Sequence, residues 1–287
     1  MARQGRTDSN KRRQEWLRSS DGWLSRIDRR WLGNARIHRH PFTAAAPNDS
    51  SMVRLARLAF AAQAHLIVVP GTAAQPLFVD DEDRRRFTLA LLGCSRACSV
   101  AVHAYSLLDE QILMLVTPAQ ETSLQRFMQQ LGRKYVGAFN LRHGRSGALW
   151  GRRYGAAAID ATSQGWLCVR LIEQAPVRAG RVVRSQDWPW SSASHHVGQS
   201  RNPVLREHEL HWRLGNTPFE REARHAQVLA ETLGEADVRS LIAASMRGWP
   251  IGPATFVDAL ENAAELPPGR LRPRPRGRPK SGRASPP

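Results

Sequence analysis

Apolar residues recur along the chain with the period of a strand in some segments and of a helix in others. Gln63–Val69 is a short apolar run that predicts a first strand. Val100–Leu107 and Ile112–Thr117 predict two more strands, joined by a tight turn. The third of these runs is apolar on both faces, so we expect it to lie at the centre of a sheet.

Two longer segments have apolar residues at steps of three and four, which is the spacing of a helix with one buried face. Asp80 or Asp81 is expected to open the first helix, and Thr122 or Ser123 to cap the second. The buried stripe of the first consists of Phe87, Ala90, Leu91, Cys94 and Cys98. That of the second consists of Leu124, Phe127, Met128, Leu131, Tyr135 and Phe139.

A fourth strand is predicted over Trp150–Ile159, followed by a helix that Thr162 or Ser163 caps. This order of elements predicts an α+β fold, a small antiparallel sheet with helices packed against one face. Later segments are polar and helical. We predict four parts: a basic extension over 1–51, an α+β domain over 52–195, a C-terminal helical region over 196–268 and a basic tail over 269–287.

The formal net charge of +17 indicates a polyanionic partner. No Asp or Glu occurs from Ser123 to Ile159. The basic residues of this span are Arg126, Arg133, Lys134, Arg142, Arg145, Arg152 and Arg153. Nucleic acid is the favoured partner, and we expect contacts to phosphate from all of these except Arg126. An RNA or an anionic membrane surface, bound by charge alone, is the alternative from another class.

The two ends of the chain differ from its centre. The basic extension is expected to be disordered or to be an upstream extension with Met52 as the natural start; an amphipathic helix on nucleic acid or membrane is the other possibility. The Pro-rich tail is expected to be disordered when free and has an AT-hook-like core. In that core Arg276, Arg278 and Lys280 are predicted to contact A·T-rich duplex.

Three cysteines form no disulfide framework, and no apolar run is long enough to span a membrane. Cys94 and Cys98 are expected to be small core residues rather than metal ligands. The expected location is cytoplasmic and nucleoid-associated.

Several motifs in order resemble the REP-associated tyrosine transposases, a family of bacterial single-tyrosine HUH transposases. They are DDEDRRRF (Asp80–Phe87), VHAYSLL (Val102–Leu108), TP (Thr117-Pro118), QRFMQQLGRKYVGAFN (Gln125–Asn140), HGRSGALW (His143–Trp150), PVRAG (Pro176–Gly180), WPWSS (Trp188–Ser192) and PRPRGRPK (Pro273–Lys280). The resemblance implies an HUH transposase-like α+β fold and a partner of hairpin-bearing single-stranded DNA.

The resemblance also implies a catalytic centre, from which this chain departs. In the family a histidine pair binds Mg²⁺ or Mn²⁺ beside a tyrosine that attacks the scissile phosphate, and Tyr135 takes the place of that tyrosine. Gln111 and Leu113 stand where the histidines are expected. We therefore expect no bound metal and a DNA-binding protein with impaired cleavage. An active transposase that forms a Tyr135 phosphotyrosine intermediate is the alternative. For Tyr135 itself, the competing interpretation is a structural tyrosine with its hydroxyl at the edge of the core.

Overall fold

The computed structural model describes residues 58–72, 75–151 and 153–272, and its sheet has four antiparallel strands. They are β1 (His65–Pro70), β2 (Val100–Leu107), β3 (Gln111–Pro118) and β4 (Gly155–Ala158). The strand order is β2-β3-β1-β4. Leu113 of β3 lies between Val68 of β1 and Ser106 of β2. The expectation that the third strand is central is confirmed.

The helices of the described part alternate with these strands and then follow them. They are α1 (Asp81–Ala97), α2 (Glu121–Arg142), α3 (Ala161–Glu173), α4 (Ala175–Arg178), α5 (Ala193–His196), α6 (Glu209–Trp212), α7 (Pro218–Ala230), α8 (Glu235–Arg247) and α9 (Ala254–Ala263). The fold is α+β, a small antiparallel sheet flanked by helices, as the sequence predicts.

Helices cover both faces of the sheet, which corrects the expectation of one covered face. On the first face, Ile112 and Met114 pack with α1 and α2 in one core. On the second face, Leu113 and Leu115 pack with α3 and α8 in another. The run of apolar residues on both sides of β3 is the physical reason, because each set of alternate side chains needs its own cover.

The helix caps differ from the expected ones in two of three cases. Asp80 caps α1 as predicted, with its carboxylate accepting a hydrogen bond from the Asp83 amide. Gln120 is the N-cap of α2 and makes no side-chain capping hydrogen bond, so the expected capping by Thr122 or Ser123 is wrong. Asp160 caps α3 by accepting from the Thr162 amide, because its carboxylate precedes the hydroxyls that were expected to cap.

Strand β4 is shorter than the predicted Trp150–Ile159, because its flanking residues are used for packing. Trp150 lies against Gly132, where an added Cβ would come within 2.9 Å of the indole. Gly155 lies against α8 just as closely, with Ser245 Oγ 2.8 Å from the position of a Cβ. Gly155 thus lets α8 approach β4, and Gly132 of α2 makes room for the indole of Trp150.

The C-terminal helices pack on the sheet, and α8 is the clearest case. Leu241 of α8 shares the second core with Leu66 of β1. Ser245 Oγ also donates a hydrogen bond of 2.9 Å to the Leu66 carbonyl. Helices of the predicted region 196–268 therefore contribute to the same core as the predicted α+β domain.

The outer edge of β2 is covered by backbone from later in the chain. The Leu107 amide donates to the Trp190 carbonyl over 2.9 Å, and the Ser192 amide donates to the Tyr105 carbonyl over 3.0 Å. Further along, the Arg206 amide donates to the Val102 carbonyl over 2.8 Å. These bonds hold the segment after α4 alongside the strand.

Candidate nucleic-acid interface

Helix α2 has one buried face and one exposed face, and the exposed face is basic. Arg126, Arg133 and Lys134 are all exposed. Residues seven apart share a helix face, so Arg126 and Arg133 are about 10 Å apart along the axis on the same side. Two positive charges therefore project from the same side of α2.

These charges have no acidic partner among the residues that the structure describes. None of the ion pairs in the described part of the chain involves Arg126, Arg133, Lys134 or Arg153. Arg145, in the loop after α2, lies with its guanidinium 5.7 Å from the centre of the Phe139 ring. Positive charge is therefore concentrated along α2 and the loop that follows it.

Arg142 is an exception, and its charge is compensated. Its guanidinium donates to Asp80 over 2.6 Å and to Asp83 over 2.6 Å. The hydrogen bond from Arg142 lowers the pKa of Asp80 to about 2. The expectation of a wholly uncompensated basic span is wrong here, because the start of α1 supplies carboxylates that are distant in sequence.

Tyr135 lies in the first core with 1% of its surface exposed. Its hydroxyl donates a hydrogen bond of 2.5 Å to the Leu77 carbonyl. Its ring packs 5.0 Å from Phe87 and 5.5 Å from Phe78, between ring centres. Burial first, and then the charge of Asp83, raise the pKa of this phenol far above its usual range. The hydroxyl is therefore neutral and engaged with the backbone.

Gln111 and Leu113 lie on the other face of the sheet from Tyr135. Alternate residues of a strand point to opposite faces. Ile112 and Met114 share the first core with Tyr135, whereas Leu113 belongs to the second. The expectation that the metal position adjoins the tyrosine hydroxyl is therefore wrong in this structure. Leu113 is fully buried and has no donor atom, so these two positions do not fit a divalent metal.

A groove of about 540 Å³ lies where α1 meets the ends of β2 and β3. Its lining is largely apolar, and its charged residues are Arg96 and Arg206, with no carboxylate among them. These two arginines are not among the contact residues predicted from the sequence. Their positions, far apart in sequence and outside the acid-free span, gave no local signal.

A group of buried titratable residues was also missed. Glu173, His196 and His225 come together beneath the second face of the sheet. The only local signal is compositional, since half of the ten histidines fall between positions 195 and 225. The long separation between the three residues explains why no spacing motif reveals them.

Other predicted contact residues lie outside the described part of the chain. They are Arg152, Arg276, Arg278 and Lys280, together with the basic extension over 1–51. Within the described part, no helix combines the length and apolar character needed to cross a membrane.

Comparison with known proteins finds matches among solved structures, but not among family models or curated proteins. No family model matches the chain, and no curated protein matches it. Among the solved structures that match is a REP-associated tyrosine transposase bound to a REP hairpin. It is 18% identical, with a TM-score of 0.41, over 55% of this chain and 92% of that one.

Proposed function

We propose that this protein binds DNA through the exposed face of α2 and the loop that follows it, and that it does not cleave DNA through Tyr135. The observation that carries the proposal is the set of charges on Arg126, Arg133, Lys134 and Arg153, none of which has an acidic partner in the described residues. Unpaired cations in a row are the arrangement that a phosphate backbone neutralises.

Single-stranded or hairpin DNA is the proposed form. Arg126 and Arg133 lie about 10 Å apart along one helix face, so a single flexible strand laid along α2 meets both guanidiniums. Arg145 extends the row past the end of α2, whereas Arg142 contributes less because Asp80 and Asp83 already neutralise it. The tail residues Arg276, Arg278 and Lys280 supply a second, A·T-leaning contact to duplex, consistent with a place on the nucleoid.

The geometry of Tyr135 supports binding without cleavage. A nucleophilic phenol has to reach the phosphorus atom and lose its proton. The Tyr135 hydroxyl is buried against the Leu77 carbonyl. Its pKa is raised by burial and by the charge of Asp83, and this carboxylate already accepts from Arg142 and the Val79 amide. Asp83 is therefore not free to take the proton.

The decisive experiment measures DNA binding as a function of salt. Fluorescence anisotropy with a labelled hairpin-bearing single strand gives the slope of log K against log salt. The variant R126Q/R133Q/K134Q should lower that slope by about 2 and weaken binding, since each lost contact to a single strand is worth about 0.7. The matched control R184Q/R213Q/R272Q removes the same net charge from exposed arginines that are ion-paired. It should change the slope much less.

Equal effects of the two triple variants would refute the proposed interface. Equal affinity for a hairpin, an unstructured DNA strand and an RNA of the same length would indicate binding by charge alone, without selection for DNA structure. Binding to anionic vesicles at the same salt concentration would indicate a membrane surface. A covalent adduct that Tyr135→Phe abolishes would establish the alternative of an active transposase.

A further inference from the structure

Four helices bring a carboxylate and three histidines together under the second face of the sheet. Glu173 is the last residue of α3, His196 the last of α5, and His211 and His225 lie within α6 and α7. All four side chains are buried, with exposed fractions of 0%, 5%, 7% and 1% in that order. We call this group the histidine cluster.

Glu173 is the centre of the cluster, and each of its oxygens faces a different imidazole. Oε1 lies 2.6 Å from His196 Nδ1, and Oε2 lies 2.8 Å from His225 Nε2. Ser192 also donates to Oε1. Burial favours protonation of Glu173, but the two histidines outweigh it and hold the pKa of this carboxyl well below its usual range. The carboxylate is therefore ionised and oriented.

The cluster borders a small cavity and retains unused nitrogen atoms. The cavity has a volume of about 20 Å³, which is enough for about one water molecule or ion. Five histidines line it: His103, His196, His208, His211 and His225. The Nδ1 atoms of His211 and His225 are buried and have no hydrogen-bond partner among the described residues. Native proteins rarely leave such groups unpaired unless something else binds there.

We propose that Glu173, His196 and His225 bind one Zn²⁺ ion, with His211 as the fourth donor. Oxygen and nitrogen atoms of the first three lie within 4.8 Å of one another. Tetrahedral zinc with bonds of about 2.1 Å places its ligand atoms roughly 3.4 Å apart, so small rotations of the side chains complete the site. The ring of His211 is 5.3 Å from that of His196 and 5.6 Å from that of His225.

Imidazole and carboxylate together favour zinc over magnesium, which prefers oxygen ligands. Burial of the ligands identifies the site as structural. Binding replaces the hydrogen bonds from the two histidines to Glu173 with bonds to the metal, and a proton is released or moved to the other ring nitrogen where the ligating atom carried one. The ion would tie α5, α6 and α7 to α3.

The test uses the full chain, stripped of metal with a chelator and titrated with Zn²⁺ by calorimetry. One equivalent should bind. At free Zn²⁺ a hundredfold above Kd the melting temperature should rise by about 5–10 °C. Co²⁺ should give the visible absorption of a tetrahedral site. Glu173→Gln should abolish the calorimetric signal of Zn²⁺ binding and the Co²⁺ absorption. His211→Gln should weaken Zn²⁺ binding by at least tenfold.

Two further variants keep the test decisive if Glu173→Gln fails to fold. His225→Cys keeps a ligand at the position and should add a thiolate-to-Co²⁺ charge-transfer band. His195→Gln is the matched control, because His195 adjoins the cluster but accepts from the Asn202 amide. It should leave zinc affinity unchanged. Absence of zinc binding by the wild type, or a Co²⁺ spectrum that His225→Cys does not alter, would overturn the proposal.

Discussion

Replacement of Tyr135 by phenylalanine tests whether this tyrosine has a structural role or acts as a nucleophile. The substitution removes one buried hydroxyl and its hydrogen bond to the Leu77 carbonyl. That carbonyl is then left without this donor inside the core, which costs about 1–3 kcal/mol. The aromatic contacts to Phe78 and Phe87 remain, because the ring is unchanged.

The expected result follows from the size of the protein. A loss of 1–3 kcal/mol in a domain of this length lowers the melting temperature by roughly 2–10 °C. Thermal unfolding by circular dichroism measures it. Hairpin DNA affinity should stay within about twofold of the wild type, since the hydroxyl is not at the surface. No covalent adduct should appear with either protein in the presence of Mg²⁺ or Mn²⁺.

Tyr105→Phe is the control, because the Tyr105 hydroxyl is also buried and accepts from Asn202 over 2.7 Å. It should destabilise the fold by a similar amount. Two results together would show that Tyr135 is a nucleophile. The melting temperature of Tyr135→Phe would equal that of the wild type, and the wild type would form a covalent adduct that Tyr135→Phe loses and Tyr105→Phe keeps.

Two further predictions concern stability. Gly137→Ala should raise the free energy of unfolding by about 0.5–1 kcal/mol, since no atom lies within 4 Å of the added Cβ. Gly132→Ala should lower it, because its Cβ would lie 2.9 Å from the Trp150 ring. Chemical denaturation of both variants measures the difference. Stability should also fall by about 3 kcal/mol from pH 6.5 to 4 through His65, whose pKa burial lowers to about 4. The unfolded chain binds this proton and the folded one does not, so stability decreases with falling pH. Chemical denaturation at several pH values checks this, because the free energy of unfolding of His65→Gln should vary less with pH than that of the wild type.

The periodic parts of the fold could be predicted because each depends on neighbours in sequence. The stripe on α2 from Leu124 to Phe139 is buried throughout as predicted. The central place of β3 also followed from its apolar run. The second covered face was missed because its cover includes α8, more than a hundred residues after β3, and no local pattern links the two.

The site was less predictable, because charge and ligation depend on partners far apart in sequence. Arg142 belongs to an acid-free span, yet its partners Asp80 and Asp83 begin another helix. The resemblance to the transposase family predicted that Tyr135 and Gln111 share a catalytic centre, but the two residues lie on opposite faces of the sheet. The histidine cluster draws on α3, α5, α6 and α7, so only the folded chain reveals it.

The cover along β2 has a consequence for association between molecules. An open edge strand invites pairing with a strand from another chain, which leads to swapping or aggregation. Here Trp190, Ser192 and Arg206 occupy backbone positions on that edge with hydrogen bonds of 2.8–3.0 Å. Another chain would have to displace this segment before it could add a strand there. Assembly through continued β-pairing at β2 is thereby disfavoured, and so is the exchange of strands between neighbouring molecules.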